Sequence, residues 1–158
     1  MRYSYRGMKM KEEHIVPLSR QAMILLDQLK QISGDKELLF PGDHDAIKVM
    51  SENTINSALR AMEYDTKTEV CGHGFRTMAR GALGESELWS NDAIERQLSH
   101  SERNNVRVAY IHASEHLDEH RMMVQWWVDY LNINRHSYVT PYDFAKQCVE
   151  ESRRTAKK

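Results

Sequence analysis

Four side chains whose chemistry suits phosphoryl transfer follow one another along the middle of the sequence: His73, Arg76, His100 and Tyr110. A tyrosine hydroxyl acts as a covalent nucleophile when a neighbour takes its proton or stabilises its oxyanion. Arginine presents a planar fork that matches two phosphate oxygens, and histidine donates or accepts a proton near neutral pH. The set therefore predicts attack by Tyr110 on a phosphodiester, with the other three side chains holding the protein–phosphate intermediate.

Each of these residues also has an ordinary structural interpretation, and the residues alone leave both open. A buried tyrosine with one hydrogen bond is common, and so is a His-x-x-Arg spacing on a helix. Lys9 and Lys11 precede an extended stretch that ends at Pro17, and a lysine in a hairpin can protonate the leaving oxygen of a phosphoryl transfer. The alternative is that both lysines are simply solvated.

The order and spacing of these residues resemble a known family. His73-Gly74-Phe75-Arg76, then Leu98-Ser99-His100, then Tyr110 ten residues beyond that histidine are similar to the catalytic domain of tyrosine recombinases. Within that family the likeness is to the integrases of temperate phages and genomic islands. The run from Lys9 to Ser19 resembles the family's lysine-bearing β-hairpin. The resemblance covers roughly Lys9 to Arg121, most of the chain.

The resemblance implies a site-specific DNA recombinase that integrates or excises a mobile element. In the reaction it implies, Tyr110 attacks a DNA phosphodiester and forms a 3′-phosphotyrosyl link, and the reverse step rejoins a different strand. Arg76 and His73 bind the non-bridging oxygens of that phosphate, and His100 orients it. Lys9 protonates the leaving oxygen.

Lys9 is preferred to Lys11 for that role because it lies where the family's catalytic lysine falls. The implied partners are double-stranded DNA and other integrase protomers, and the implied chemistry needs no metal and no small-molecule cofactor. Candidate DNA-contact residues carry positive charge or hydrogen-bonding groups near the site. They are Lys11, Asn53, Thr54, Arg60, Arg80 and Arg103. A solvated polar face is the alternative for each of them.

One feature of the family is missing from this sequence. The family carries a further catalytic arginine in an Arg-x-x-Glu helix before the hairpin, and Arg2 and Arg6 lie too close to Lys9 to supply it. We therefore expect a truncated catalytic domain with little or no recombination activity of its own. The alternative function is a non-catalytic remnant of the same fold that binds DNA or a partner.

The expected fold is mainly α with a small antiparallel β-hairpin near the N-terminus. Helical periodicity and capping residues predict the helices that must position the site. They span residues 20–32, 52–62, 73–83, 91–98, 102–112, 115–132 and 141–150, with caps at Ser19, Ser51, Ser90, Ser114 and Thr140. The residues expected to face the core are Ala22, Leu25, Leu26, Leu29, Ile32, Ile55, Ala58, Leu59, Met62, Phe75, Met78, Ala79, Ala82, Leu117, Val124, Trp127, Val128 and Leu131.

Length and composition limit the remaining possibilities. The 158 residues suit one partial catalytic domain, which we place at 1–133, followed by a linker and helical tail at 134–158. A net charge of −1 argues against a simple basic DNA-binding module, although arginines cluster around the proposed site. No apolar run is long enough to cross a membrane, and two distant cysteines suggest reduced thiols in the cytoplasm. His112, His116 and His120 are spaced for chelation, but no carboxylate or cysteine completes a metal set.

Overall fold

The computed structural model of the chain describes residues 16–34, 38–42, 45, 47–98 and 117–155. These residues are mainly helical. Their helices are α1 (Arg20–Ser33), α2 (Thr54–Ala61), α3 (Gly72–Glu85), α4 (Asn91–Gln97), α5 (Leu117–Asn134) and α6 (Pro141–Thr155). The predicted β-hairpin and the predicted helix 102–112 lie outside the described residues. Within those residues the one β feature is an isolated antiparallel bridge between Pro41 and Val49, and there is no strand.

The chain divides into two compact units. The first comprises Met1–Arg20 and Ala79–Lys158, and the second comprises Gln21–Met78. The boundary therefore falls inside α3, between the turns that carry His73 and Arg76 and the turns that end the helix.

Aromatic packing forms the core of the first unit. The Trp126 ring stacks on Tyr130 at 5.4 Å between ring centroids and meets the edge of Trp89 at 5.3 Å. Phe144 of α6 packs against Trp126 and Tyr130 at 5.4 and 5.8 Å. Large rings bury much apolar surface at small entropic cost, so this cluster supplies a large share of the unit's hydrophobic stabilisation.

Helix α5 buries a different face from the one its aliphatic residues predicted. The buried residues are His120, Met123, Trp126 and Tyr130. Of the predicted core residues, Trp127 is half-buried and packs against the core, whereas Leu131 is exposed and Val124 is only half-buried. Apolar side chains occur around the whole helix, so periodicity alone could not choose the face. The aromatic side chains occupy the buried positions because they fill more of the core than leucine or valine does.

Two predicted helix caps are confirmed. The Ser90 Oγ accepts the backbone N–H of Ala93 at 3.2 Å and begins α4. At α6, the Thr140 hydroxyl accepts the Asp143 N–H at 3.1 Å and donates to the Asp143 carboxylate at 2.7 Å. These contacts satisfy backbone groups that a helix start otherwise leaves unpaired. Helix α6 then packs Phe144 into the first unit, so the predicted tail lies against the domain in this chain.

The segment before α1 is tied to α5. Pro17 and Ser19 are buried. The backbone N–H of Arg20 donates to the Gln125 amide oxygen at 2.9 Å, and the amide nitrogen of Gln125 donates to Asp129 at 3.0 Å. The Arg20 guanidinium lies 3.7 Å from the same Asp129 carboxylate. This network holds Arg20 and the segment before it against the long helix.

The second unit is much less buried than the sequence predicted. Neither α1 nor α2 contains a buried residue. Leu25 and Ile32 are 64% and 85% exposed, and Ile55 and Met62 are 51% and 66% exposed. The prediction that these four residues face a core is therefore wrong for this chain. Periodicity predicts which face of a helix is apolar, but it does not supply the surface that covers that face.

The predicted core face of α3 is correct only toward its C-terminal end. Ala82 is buried beside Leu83, and Ala79 is half-buried. Phe75 and Met78 are 46% and 52% exposed, so that part of the prediction is wrong. The change from exposed to buried side chains coincides with the start of the first unit at Ala79, because only the later turns of α3 belong to the aromatic core.

Helix ends in the second unit differ in how they form. Gly34 has a φ of 69° and its N–H bonds to the Lys30 carbonyl at 2.8 Å, which ends α1 at Ser33, one residue beyond the predicted end. Ser51 does not cap α2 as predicted, because its hydroxyl accepts the Asn53 N–H and the helix begins at Thr54. The Asn53 side chain makes no capping bond in its place.

Met123 offers a direct test of the core. Its side chain is completely buried, whereas its neighbour Met122 is 61% exposed on the same helix. Met123→Ala is expected to lower the free energy of unfolding by about 2–5 kcal/mol, because it leaves a cavity in the aromatic cluster. Met122→Ala should change it by no more than about 0.5 kcal/mol. Urea denaturation followed by circular dichroism measures both, and equal losses would contradict this description of the core.

Candidate functional site

Helix α3 carries the two described residues of the proposed catalytic set. His73 and Arg76 are three residues apart, which places them about 4.5 Å apart along the helix axis and on adjoining faces. His73 is exposed and Arg76 is half-buried. An exposed imidazole and a neighbouring guanidinium can both reach the oxygens of one phosphate.

A side chain from α2 fixes the turn that carries His73. The amide oxygen of Asn56 accepts the Gly72 N–H at 2.9 Å, across 16 residues of sequence. This bond satisfies one of the backbone donors left open at the start of α3. Nothing in the local sequence identified Asn56 as a cap, because its partner is distant along the chain.

The loop between α2 and α3 is closed by local hydrogen bonds around Asp65. The Asp65 carboxylate accepts the Lys67 N–H at 2.8 Å and the Thr68 hydroxyl at 2.7 Å. The Asp65 N–H in turn donates to the Glu69 carboxylate at 2.7 Å. The Lys67 N–H, followed by the Thr68 hydroxyl, lowers the pKa of Asp65 below its ordinary value of 3.8. The loop that leads to His73 is thus held by an ionised carboxylate.

The end of α2 adopts a conformation that usually needs glycine. Glu63 has a φ of 69°, and the Tyr64 N–H bonds back to the Leu59 carbonyl at 3.1 Å. The Glu63 N–H bonds to the Arg60 carbonyl at 3.0 Å, which completes a Schellman turn. The turn directs the chain from α2 into the Asp65 loop.

The predicted DNA-contact residues of α2 lie on the surface. Asn53, Thr54 and Arg60 are exposed. The Arg60 guanidinium donates to the Thr66 hydroxyl at 3.0 Å and to the Ser57 hydroxyl at 3.1 Å. These hydroxyls are neutral, so the full positive charge of Arg60 remains available to a phosphate.

Arg80 lies beyond the unit boundary and belongs to the first unit. Its Nε–H donates to the Glu95 carboxylate on α4 at 2.5 Å. The Arg80 side chain is 56% exposed and that of Glu95 is 28% exposed. The sequence predicts a DNA contact for Arg80 but has no pattern that indicates an acidic partner 15 residues away.

The other predicted site residues lie outside the described residues. They are Lys9, Lys11, His100, Arg103 and Tyr110. Their convergence with His73 and Arg76 therefore stays a prediction. Among the residues that the structure does describe, no group of three or more possible ligands is arranged to hold a metal ion. None of the helices in that part of the chain is long and apolar enough to cross a membrane.

The bond between Asn56 and Gly72 can be tested against a neighbouring asparagine. Asn56→Ala is expected to speed hydrogen exchange of the Gly72 amide about fivefold, because a net hydrogen bond is worth about 1 kcal/mol. Asn53→Ala is the matched control, since the Asn53 side chain makes no capping bond. Exchange measured by NMR should separate the two variants. Unchanged protection of Gly72 in Asn56→Ala would show that this contact does not hold the turn.

The Asp65 loop predicts a pH dependence. The pKa of Asp65 is lower in the folded chain than in the unfolded chain. The carboxylate therefore stabilises the folded state at pH values above the unfolded pKa, and this stabilisation is lost as the pH falls through the lower folded pKa. The Lys67 amide resonance should therefore titrate with a midpoint below 3.8. Asp65→Asn should remove that titration. A midpoint at or above the ordinary value would contradict the assignment of these hydrogen bonds.

Comparisons with known proteins identify the family of the chain. Residues 3–116 match the phage integrase family. The chain is 86% identical over 140 residues to the integrase of Enterobacteria phage P4, a match that covers 89% of this chain and 32% of that protein. It is 60% identical over 146 residues to the putative protein IntB of Escherichia coli K12, covering 92% of this chain and 37% of IntB.

A more distant relative is the prophage integrase IntA of Escherichia coli K12, 38% identical over 122 residues, which are 77% of this chain and 29% of IntA. The chain thus spans about a third of the length of the curated relatives it matches. No solved structure matches it. Because the family match covers most of the sequence, this chain belongs to the phage integrase family.

Proposed function

We propose that this chain is part of the catalytic domain of a site-specific DNA recombinase that cleaves and rejoins DNA through a 3′-phosphotyrosyl intermediate. Its substrate is double-stranded DNA, and its partners are other integrase protomers. Three kinds of evidence support the proposal: membership of the phage integrase family, the order of the site residues, and the placement of His73 and Arg76 on α3.

The proposed reaction assigns one task to each residue. The Tyr110 hydroxyl gives up its proton to solvent as its oxygen attacks the phosphorus, and the bond from phosphorus to the 5′ oxygen breaks. Lys9 donates a proton to that leaving oxygen, while His100 orients the phosphate. Arg76 and His73 bind the non-bridging oxygens and stabilise the charge that builds up in the transition state. The phosphotyrosyl bond conserves the energy of the broken bond, so rejoining needs no nucleotide.

One observation carries the proposal: the first turns of α3 present His73 and Arg76 together and are held in place by Asn56. A phosphate-binding pair must be rigid, because electrostatic stabilisation is effective only when the donors are already oriented. The bond between the Gly72 N–H and Asn56 restrains the helix start, and the hydrogen bonds of Asp65 restrain the loop that leads to it.

The alternative is a remnant that keeps DNA binding and lacks strand cleavage. The exposed polar side chains of α2, with the charge of Arg60 uncompensated by its hydroxyl partners, suit either function. The two functions differ in a covalent product, which only the recombinase forms.

A nicked suicide DNA substrate distinguishes the two functions. It traps the covalent complex because the cleaved strand diffuses away before it can be rejoined. The recombinase proposal predicts a covalent protein–DNA band in denaturing gels, faint because no Arg-x-x-Glu motif precedes Lys9 in these 158 residues. The band should disappear in Tyr110→Phe, with noncovalent DNA affinity changed less than about twofold, since one hydroxyl is lost. Tyr138→Phe is the control, because Tyr138 is 82% exposed and lies beyond the matched residues.

An adduct that persists in Tyr110→Phe would show that another residue is the nucleophile. No adduct from the unchanged chain, together with retained DNA binding, would favour the noncatalytic alternative for this chain.

A further inference from the structure

Arg80 and Glu95 form an ion pair between two helices of the first unit. The Arg80 Nε–H meets a Glu95 oxygen at 2.5 Å. Both residues have buried neighbours on their own helix. Glu95 follows Ile94, which is 2% exposed, and Arg80 precedes the buried Ala82 and Leu83 by one turn or less of α3. The guanidinium and its acceptor are therefore held by packing that neither of them supplies.

The contact uses only one edge of the guanidinium. Arginine carries five N–H donors, and four of them lie on the two Nη nitrogens. Within the described part of the chain, the hydrogen bond of Arg80 is made by Nε alone. More than half of the side chain is exposed, and no described residue forms a hydrogen bond with either Nη nitrogen. An arginine whose plane is set at one edge can bind a phosphate at the other with little further loss of side-chain entropy.

Stability gives a weak reason for this pair, because an ion pair whose arginine is more than half exposed contributes little to folding. We propose that Glu95 is a positioning residue that orients Arg80 to bind a backbone phosphate of duplex DNA. The inference rests on the proposed function, since it needs DNA as the ligand. It places an acidic residue on a DNA-binding surface, although the negative charge of that residue would by itself weaken DNA binding.

The positioning role and the charge effect predict opposite changes in DNA affinity when Glu95 is removed. Removing an acid near bound DNA raises the local positive potential and should strengthen binding if Glu95 acts only through its charge. If Glu95 orients Arg80, removing it should weaken binding even though the net charge becomes less negative. Glu95→Gln keeps an acceptor oxygen, so it should hold Arg80 and retain or exceed the original affinity.

Asp92 provides a matched control on the same helix. Its carboxylate pairs with Arg96 within α4 rather than with another helix, and its side chain is 71% exposed. Asp92→Ala changes the net charge by the same amount as Glu95→Ala. It is expected to leave DNA affinity unchanged or raised.

The experiment measures binding of a short labelled DNA duplex of mixed sequence by fluorescence anisotropy across a salt series. Arg80→Ala is expected to weaken binding on the order of 3- to 10-fold at low salt and to reduce the salt slope by about one, because one phosphate contact is lost. Glu95→Ala should weaken binding to a similar extent. Adding Glu95→Ala to Arg80→Ala should cause no further loss, since the residue to be oriented is absent.

Each outcome decides between the possibilities. Equal or tighter binding by Glu95→Ala would overturn the positioning role, and so would unchanged binding by Arg80→Ala. If the unchanged chain binds no duplex even at low salt, that result contradicts the proposed function itself, whatever the role of Glu95. Circular dichroism identifies a variant that has lost its fold. If Glu95→Ala has done so, Arg80→Ala and Glu95→Gln still carry the test, because the first must weaken binding and the second must preserve it.

Discussion

The first unit depends on one contact, the stacking of Trp126 on Tyr130 with Trp89 and Phe144 closing around it. These rings bring α5, α6 and the segment before α4 together around a single buried cluster. The ion pair of Arg80 with Glu95 and the cap of Ser90 lie on helices that this cluster holds in place. Without the aromatic core, those polar contacts would join helices that are free to separate.

Local chemistry made part of the fold predictable. Ser90 and Thr140 cap helices because a hydroxyl followed by an acid within one turn satisfies backbone donors whatever the rest of the chain does. Gly34 ends α1 because glycine accepts a positive φ without steric cost. Each of these helix ends is determined by residues within about four positions of one another, so a sequence pattern is enough to predict it.

Contacts between distant residues were beyond the sequence patterns. Asn56 caps α3 across 16 residues, and Glu95 meets Arg80 across 15, and neither spacing has a sequence signature. The buried face of α5 was also mispredicted, because apolar residues surround that helix and only its neighbours select a face. The candidate site was predictable in part: the sequence placed His73 and Arg76 on one helix, but not the asparagine that holds its first turn.

The network of Arg20, Gln125 and Asp129 also has a bearing on how the chain folds. The hydrogen bond from the Arg20 backbone N–H to the Gln125 side chain joins residues separated by 105 positions, about two-thirds of these 158 residues. Contacts of such long range form late, because closing a large loop costs entropy before any contact repays it. During synthesis, the buried Pro17 and Ser19 leave the ribosome long before α5 does. The segment before α1 must therefore wait until α5 has been made before it reaches its native environment.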